Sequence, residues 1–110
     1  MVISLIELKS TLKRRGEILE LLRYCVDGVG TKPGCLSSGV YEAGDQNENI
    51  LYLERWRSTE ELHRHIQSDL YRGVLNAIDL ACGPPEISFF EVSETKSMEL
   101  IASLRSPGAA

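Results

Sequence analysis

Between residues 52 and 67 the chain reads YLERWRSTEELHRHIQ, a stretch holding its single tryptophan, Trp56, and both of its histidines, His63 and His65. With Tyr52 and Glu54 these are residue types that can grip a flat aromatic molecule and move a proton near neutral pH, since an unperturbed imidazole titrates at about 6.5. On a strand, Tyr52, Glu54 and Trp56 alternate and so share one face. His63 and His65 follow on a helix, where a two-residue step turns the side chains apart by about 200°. They cannot chelate one ion together, and no carboxylate–histidine cluster at ligand spacing replaces them, so no metal site is expected.

Each of these residues also has a plainer reading. Trp56 either plugs the end of the core or, with Tyr52, walls a pocket against which a flat ligand stacks. Glu54 lies between apolar neighbours and is costly to bury alone. It is expected to pair with an arginine or cap backbone groups rather than transfer a proton. Treating residues 59–81 as one helix at about 100° per residue puts His63 inside an apolar arc centred near Ile66 and Gly73. His63 is then a half-buried packing residue. His65 falls at the edge of that arc with Asp69, Arg72 and Asn76, where Asp69 is its expected partner.

The elements that position these residues can be read from the pattern. Met1 to Leu8 reads as a first strand and Lys9 to Arg15 as a charged connection. Behind Gly16, residues Ile18, Leu21, Leu22, Cys25, Val26 and Val29 fall on one helical face, with Glu17 and Glu20 near the positive end of its dipole. Gly28, Gly30 and Lys32-Pro33-Gly34 end that helix. Cys35 to Glu42 is a second strand, with Gly39 marking a bulge or a close approach. Ala43 to Glu48 is a hairpin connection, and Asn49 to Trp56 a third strand. Ser58 and Glu61 have capping-box spacing, and the second helix stops at Cys82-Gly83-Pro84-Pro85. Glu86 to Ser93 is a fourth strand, and Ser97 to Leu104 is expected to form a short helix.

The order β-α-β-β-α-β predicts an α+β, ferredoxin-like domain at residues 1–94, with one four-stranded antiparallel sheet, followed by a tail at 95–110. The third strand is largely apolar on both faces, whereas a sheet with one wet face alternates cleanly. A second copy of the sheet in a symmetric homodimer would cover the surplus.

The chain has 110 residues, enough for one domain, with 43% hydrophobic and 25% charged residues, typical of a globular protein. A net charge of −4 argues against a nucleic-acid partner. No apolar run approaches membrane-spanning length, and MVISLIEL lacks the basic start of a signal peptide. Cys25, Cys35 and Cys82 are odd in number and lack zinc or disulfide spacing, which fits reduced thiols in the cytoplasm.

With these elements in place, the sequence resembles the antibiotic biosynthesis monooxygenase family of dimeric α+β barrel proteins. The matching pieces are the Lys32-Pro33-Gly34-Cys35 turn and Leu53-Glu54-Arg55-Trp56-Arg57-Ser58. Leu62 and His65-Ile66-Gln67-Ser68 follow at the family's interval, and the match covers roughly Val2 to Ser93. The resemblance implies a homodimer whose sheets face one another. It also implies oxidation of quinols or polycyclic phenols by O₂ without flavin, haem or metal, with His65 as base. Trp56, Tyr52, His63 and Glu54 are the candidate substrate-binding residues. Members that degrade haem carry an asparagine on strand one, and Val2 to Glu7 has none, which argues against haem degradation. Many relatives resemble binding or regulatory domains, so a dimeric binder of a small apolar ligand is the alternative.

Overall fold

A computed structural model describes residues 1–43, 49–106 and 108. The strands β1 (Val2–Lys9), β2 (Cys35–Glu42), β3 (Asn49–Trp56) and β4 (Glu86–Glu91) form one open sheet in the order β2-β3-β1-β4, every neighbour antiparallel. Strand alternation decides what faces the core. Val2, Ser4, Ile6 and Leu8 of β1 are buried opposite Trp56, Glu54, Tyr52 and Ile50 of β3. On the other face Ile3, Leu5, Leu51 and Leu53 are only half-buried. Gly39 is a place of close approach, its backbone lying under the Tyr41 ring. The register irregularity of β2 lies elsewhere, between Cys35 and Ser37. Most of the expected 43–48 connection lies outside the described residues.

Helix α1 (Leu12–Val29) packs over the sheet and against α3 (Tyr71–Leu80), with Ile18, Leu19, Leu22 and Cys25 in one core cluster with Val74 and Ala77, while Val29 joins Val2, Trp56 and Leu62 in a second. Each buried aliphatic side chain of that set contributes about 1.5–3 kcal/mol of transfer free energy. The helix begins earlier than its apolar pattern indicates. Thr11 caps it, its hydroxyl accepting from the Arg14 amide at 3.3 Å. Lys13-Arg14-Arg15 is therefore in the first turns, because long basic side chains are good helix formers; Lys13 and Arg14 remain solvated, and Arg15 pairs with Glu42 at 2.9 Å. Gly16 lies inside the helix, and Glu17 and Glu20 lie beyond a first turn that carries no acid.

The largest correction concerns the second helix, which is two. The helix α2 (Thr59–Ile66) stops before α3, and Gln67 to Leu70 forms a turn between them. Ser68 Oγ donates to the His65 carbonyl at 2.6 Å, and the Ser68 amide bonds the same oxygen at 3.0 Å. This local bonding competes with the helical ladder.

Where α3 crosses α1, Gly73 lets the helices close. A Cβ there would sit 2.6 Å from the Cys25 sulfur. Gly73→Ala is therefore expected to destabilise the fold by about 1–3 kcal/mol, despite alanine's higher helix propensity. Removing the sulfur as well, in Gly73→Ala/Cys25→Ala, should recover much of that loss in urea unfolding. A Gly73→Ala single variant as stable as the parent would contradict the close crossing.

Beyond β4, α4 (Met98–Arg105) buries none of its residues and leaves Met98, Ile101 and Leu104 bare. The radius of gyration is 16.6 Å, above the roughly 13–14 Å of a compact chain this long. Strand β4 is exposed on both faces, including Ile87, Phe89 and Phe90.

Candidate functional site

The corner where β3 hands over to α2 is fixed by three local devices. Ser58 caps α2, its hydroxyl accepting from the Glu61 amide at 3.3 Å and donating to the Glu61 carboxylate at 2.9 Å. Arg57 forks onto the same carboxylate at 3.0 and 2.6 Å. These bonds, Arg57 first and Ser58 next, hold the Glu61 carboxyl below its ordinary range. The carboxylate does not reach back to the cap's backbone, so the box is closed on one side only. Gly34, at φ +88°, lies directly under Glu61 where any Cβ would overlap it, and its carbonyl accepts from the Arg57 amide at 2.8 Å. The Lys32-Pro33-Gly34 turn is thus clipped to the start of α2.

Behind this corner Glu54 is fully buried and, among the described residues, pairs with no arginine or lysine. Its carboxylate accepts three hydrogen bonds, from Tyr52 Oη at 2.6 Å, Trp56 Nε1 at 3.0 Å and His65 Nε2 at 2.9 Å. Convergent neutral donors compensate the lost hydration, as an arginine was expected to do. An ionised Glu54 carboxylate only accepts; a neutral His65 then donates to it from Nε2 and keeps a lone pair on Nδ1. That Nδ1 is buried and has no hydrogen-bond partner among the described residues. The imidazole is stacked on Trp56 with centroids 4.9 Å apart and meets the edge of Tyr71 at 5.2 Å.

The two histidines therefore exchange the settings expected of them. His65 is 4% exposed and bonded to Glu54, while Asp69, its expected partner, is almost fully solvated. His63 is exposed. It faces a separate groove near β4 with Val2, Leu62, Ile66 and Phe89. The break after Ile66 explains the exchange. The buried arc of α2 is set by Glu61, Leu62 and His65 alone, and α3 restarts with its own phase.

Burial first, and the Glu54 charge second, push the Tyr52 hydroxyl far above its ordinary value and the Tyr71 hydroxyl up to about 12. Both side chains are hydrogen-bonding or packing groups at neutral pH, not proton carriers. A raised folded pKa favours the protonated form, so its stabilisation is complete below the unfolded pKa of about 10 and is lost as pH rises toward 12. Urea midpoints should fall across that window, and Tyr71→Phe should flatten the decline. An unchanged slope in that variant would contradict the assignment.

A cavity of about 190 Å³ adjoins the cluster, lined by Trp56 and His65, by Lys32 and Pro33 of the turn, and by Glu61, Arg64 and Ser68. The structure thus brings Trp56, Glu54 and His65 together, with Trp56 and His65 reaching the cavity. Tyr52 is not among the lining residues; it stands behind Glu54 as a donor. Sequence reasoning did not single out Tyr71 or Arg64, and it had Lys32 only as part of the turn. Tyr71 lies on the polar side of a continuous helix and turns inward only because that helix is broken.

The family model described as antibiotic biosynthesis monooxygenase matches residues 1–76. An uncharacterized protein of Synechocystis sp. is 27% identical over 86 residues, 77% of this chain and 58% of its own, so the match spans little more than half that relative. A Deinococcus radiodurans protein described as a candidate antibiotic biosynthesis monooxygenase superposes with a TM-score of 0.78 at 22% identity, over 88% of this chain and 97% of its own. A Mycobacterium tuberculosis protein gives a TM-score of 0.78 at 22% identity, over 87% and 98%. At such identities the superpositions show the ferredoxin-like α+β fold alone. Taken with the match over residues 1–76, they close the question of kinship: the chain belongs to the antibiotic biosynthesis monooxygenase family.

Proposed function

We propose that this chain is a monooxygenase that oxidises a small quinol or phenol with O₂ as sole co-substrate. The observation that carries the reading is the buried His65, held through Nε2 by Glu54, with a buried, unpartnered Nδ1 on a ring that lines a cavity. A hydroxyl placed against Nδ1 gives up its proton, and the Glu54 carboxylate stabilises the imidazolium that forms. A phenolate passes an electron to O₂ far more readily than the neutral phenol, and the radical pair combines with a new ring carbon–oxygen bond. One oxygen atom stays on the ring and the other leaves as water. A hydroquinone thus becomes a hydroxyquinone, and the substrate supplies all four electrons that O₂ accepts. Oxygen uptake by metal-free protein given hydroquinone tests this, with uptake above the uncatalysed rate expected and a background rate overturning it.

The working form proposed is a cytoplasmic homodimer joined through the half-buried outer sheet faces. Ile3, Leu5, Leu51 and Leu53 on that face support the dimer, and the free cysteines Cys25, Cys35 and Cys82 support the location. The tail at 95–110 would add the bare α4 to the partner contact. Sedimentation of a 12.3 kDa species at micromolar concentration would contradict the dimer. A second reading, a non-catalytic domain that binds a small apolar ligand, is favoured by how little of the Trp56 and His65 rings is exposed. Stoichiometric binding without oxygen consumption would select it.

A further inference from the structure

The mouth of the His65 cavity differs in charge from the rest of the molecule. The chain as a whole carries −4. Lys32 and Arg64 line this cavity, and neither forms an ion pair among the described residues. The acid that lines it, Glu61, already accepts from Arg57 and Ser58, so its carboxylate is largely satisfied. Arg64 lies near enough to Glu61 to act on its charge, but the hydrogen bonds come from Arg57 and Ser58. The rim thus holds two uncommitted cations, while the wall is formed by Trp56, Pro33 and His65, the unpartnered Nδ1 of which is itself buried just behind the surface.

Size narrows the occupant further. An apolar cavity of about 150 Å³ holds benzene, so about 190 Å³ suits one substituted ring better than a polycyclic system. From this we infer that the substrate is a monocyclic hydroxylated aromatic acid. Its carboxylate meets Lys32 and Arg64, its ring lies along Trp56 and Pro33, and a hydroxyl faces His65. The inference rests on the proposed function for the role of His65, but the charge preference stands on the rim alone.

The test compares hydroquinone with 2,5-dihydroxybenzoate, the same ring with and without the carboxylate, by calorimetric titration under nitrogen. The acid is expected to bind about tenfold more tightly at low ionic strength, as two solvent-exposed charge contacts allow. That ratio should shrink in 0.5 M salt, which screens exposed charges. In Lys32→Gln/Arg64→Gln the ratio should collapse to about one. Equal affinities in the parent protein, a preference indifferent to both salt and the double substitution, or no binding of either compound would overturn the inference. Oxygen uptake is read separately. A carboxylate preference without uptake removes the oxygenase reading and leaves an aromatic acid as the ligand, whereas uptake with hydroquinone and no preference does the reverse.

Discussion

Glu54→Ala is expected to destabilise the protein by about 3–5 kcal/mol, the cost of stranding three buried donors less what entering water returns. The reason is the convergence on Glu54. Tyr52, Trp56 and His65 all donate to it from buried positions. Without the carboxylate, each donor is stranded at a cost of about 1–3 kcal/mol, partly relieved by water entering the space. Natural domains have only about 5–15 kcal/mol in hand, so this variant is expected to sit near the edge of folding. Glu54→Gln gives the more measurable result. It preserves volume but turns an amide NH₂ toward one of three donors, and a loss of about 1–3 kcal/mol is expected. Urea unfolding at constant slope would record it. A Glu54→Gln change below about 0.5 kcal/mol would mean that the three bonds are not made together in solution.

His65→Gln should separate structure from chemistry. A glutamine amide nitrogen reaches about the position of Nε2 and can still donate to Glu54, so stability should fall by no more than about 1 kcal/mol. It offers no base where Nδ1 stood. On the proposed function, quinol oxidation should drop about 10²- to 10⁴-fold, the range lost with a positioned general base. The residual rate should then climb with pH in step with the solution fraction of phenolate, since only substrate that arrives ionised reacts. Oxygen uptake across pH checks both points. A His65→Gln protein that keeps its parent's rate and pH profile would remove His65 from the mechanism.

What could be read from the sequence divides along physical lines. The strands were legible because alternation is local. Tyr52, Glu54 and Trp56 do share the buried face, and β2 and β3 run over the residues expected. The Ser58 cap was legible for the same reason. The start of α1 was not, because a three-residue basic run reads as a solvated connection when it is the beginning of a helix behind a Thr11 cap. The phase of α2 was lost at Ser68, a residue whose hydroxyl bonds its own backbone. A single break there reverses His63 and His65 and hides Tyr71. The partner of Glu54 could not be named either. Sequence reasoning looked for an arginine partner or for backbone groups to cap, and the fold assembles three side-chain donors, one of them eleven positions away on another element.

The central claim is that His65 holds its hydrogen toward Glu54 and turns a free lone pair to the ligand. Nitrogen-15 spectroscopy of the imidazole measures this directly. In the free protein at neutral pH, Nε2 should carry the proton and Nδ1 should show the signature of an unprotonated ring nitrogen. Titrating phenol under nitrogen should then move Nδ1 toward the hydrogen-bonded or protonated range while Nε2 stays bonded. A proton found on Nδ1 in the free protein, or an Nδ1 resonance that ignores saturating phenol, would contradict the account at its base.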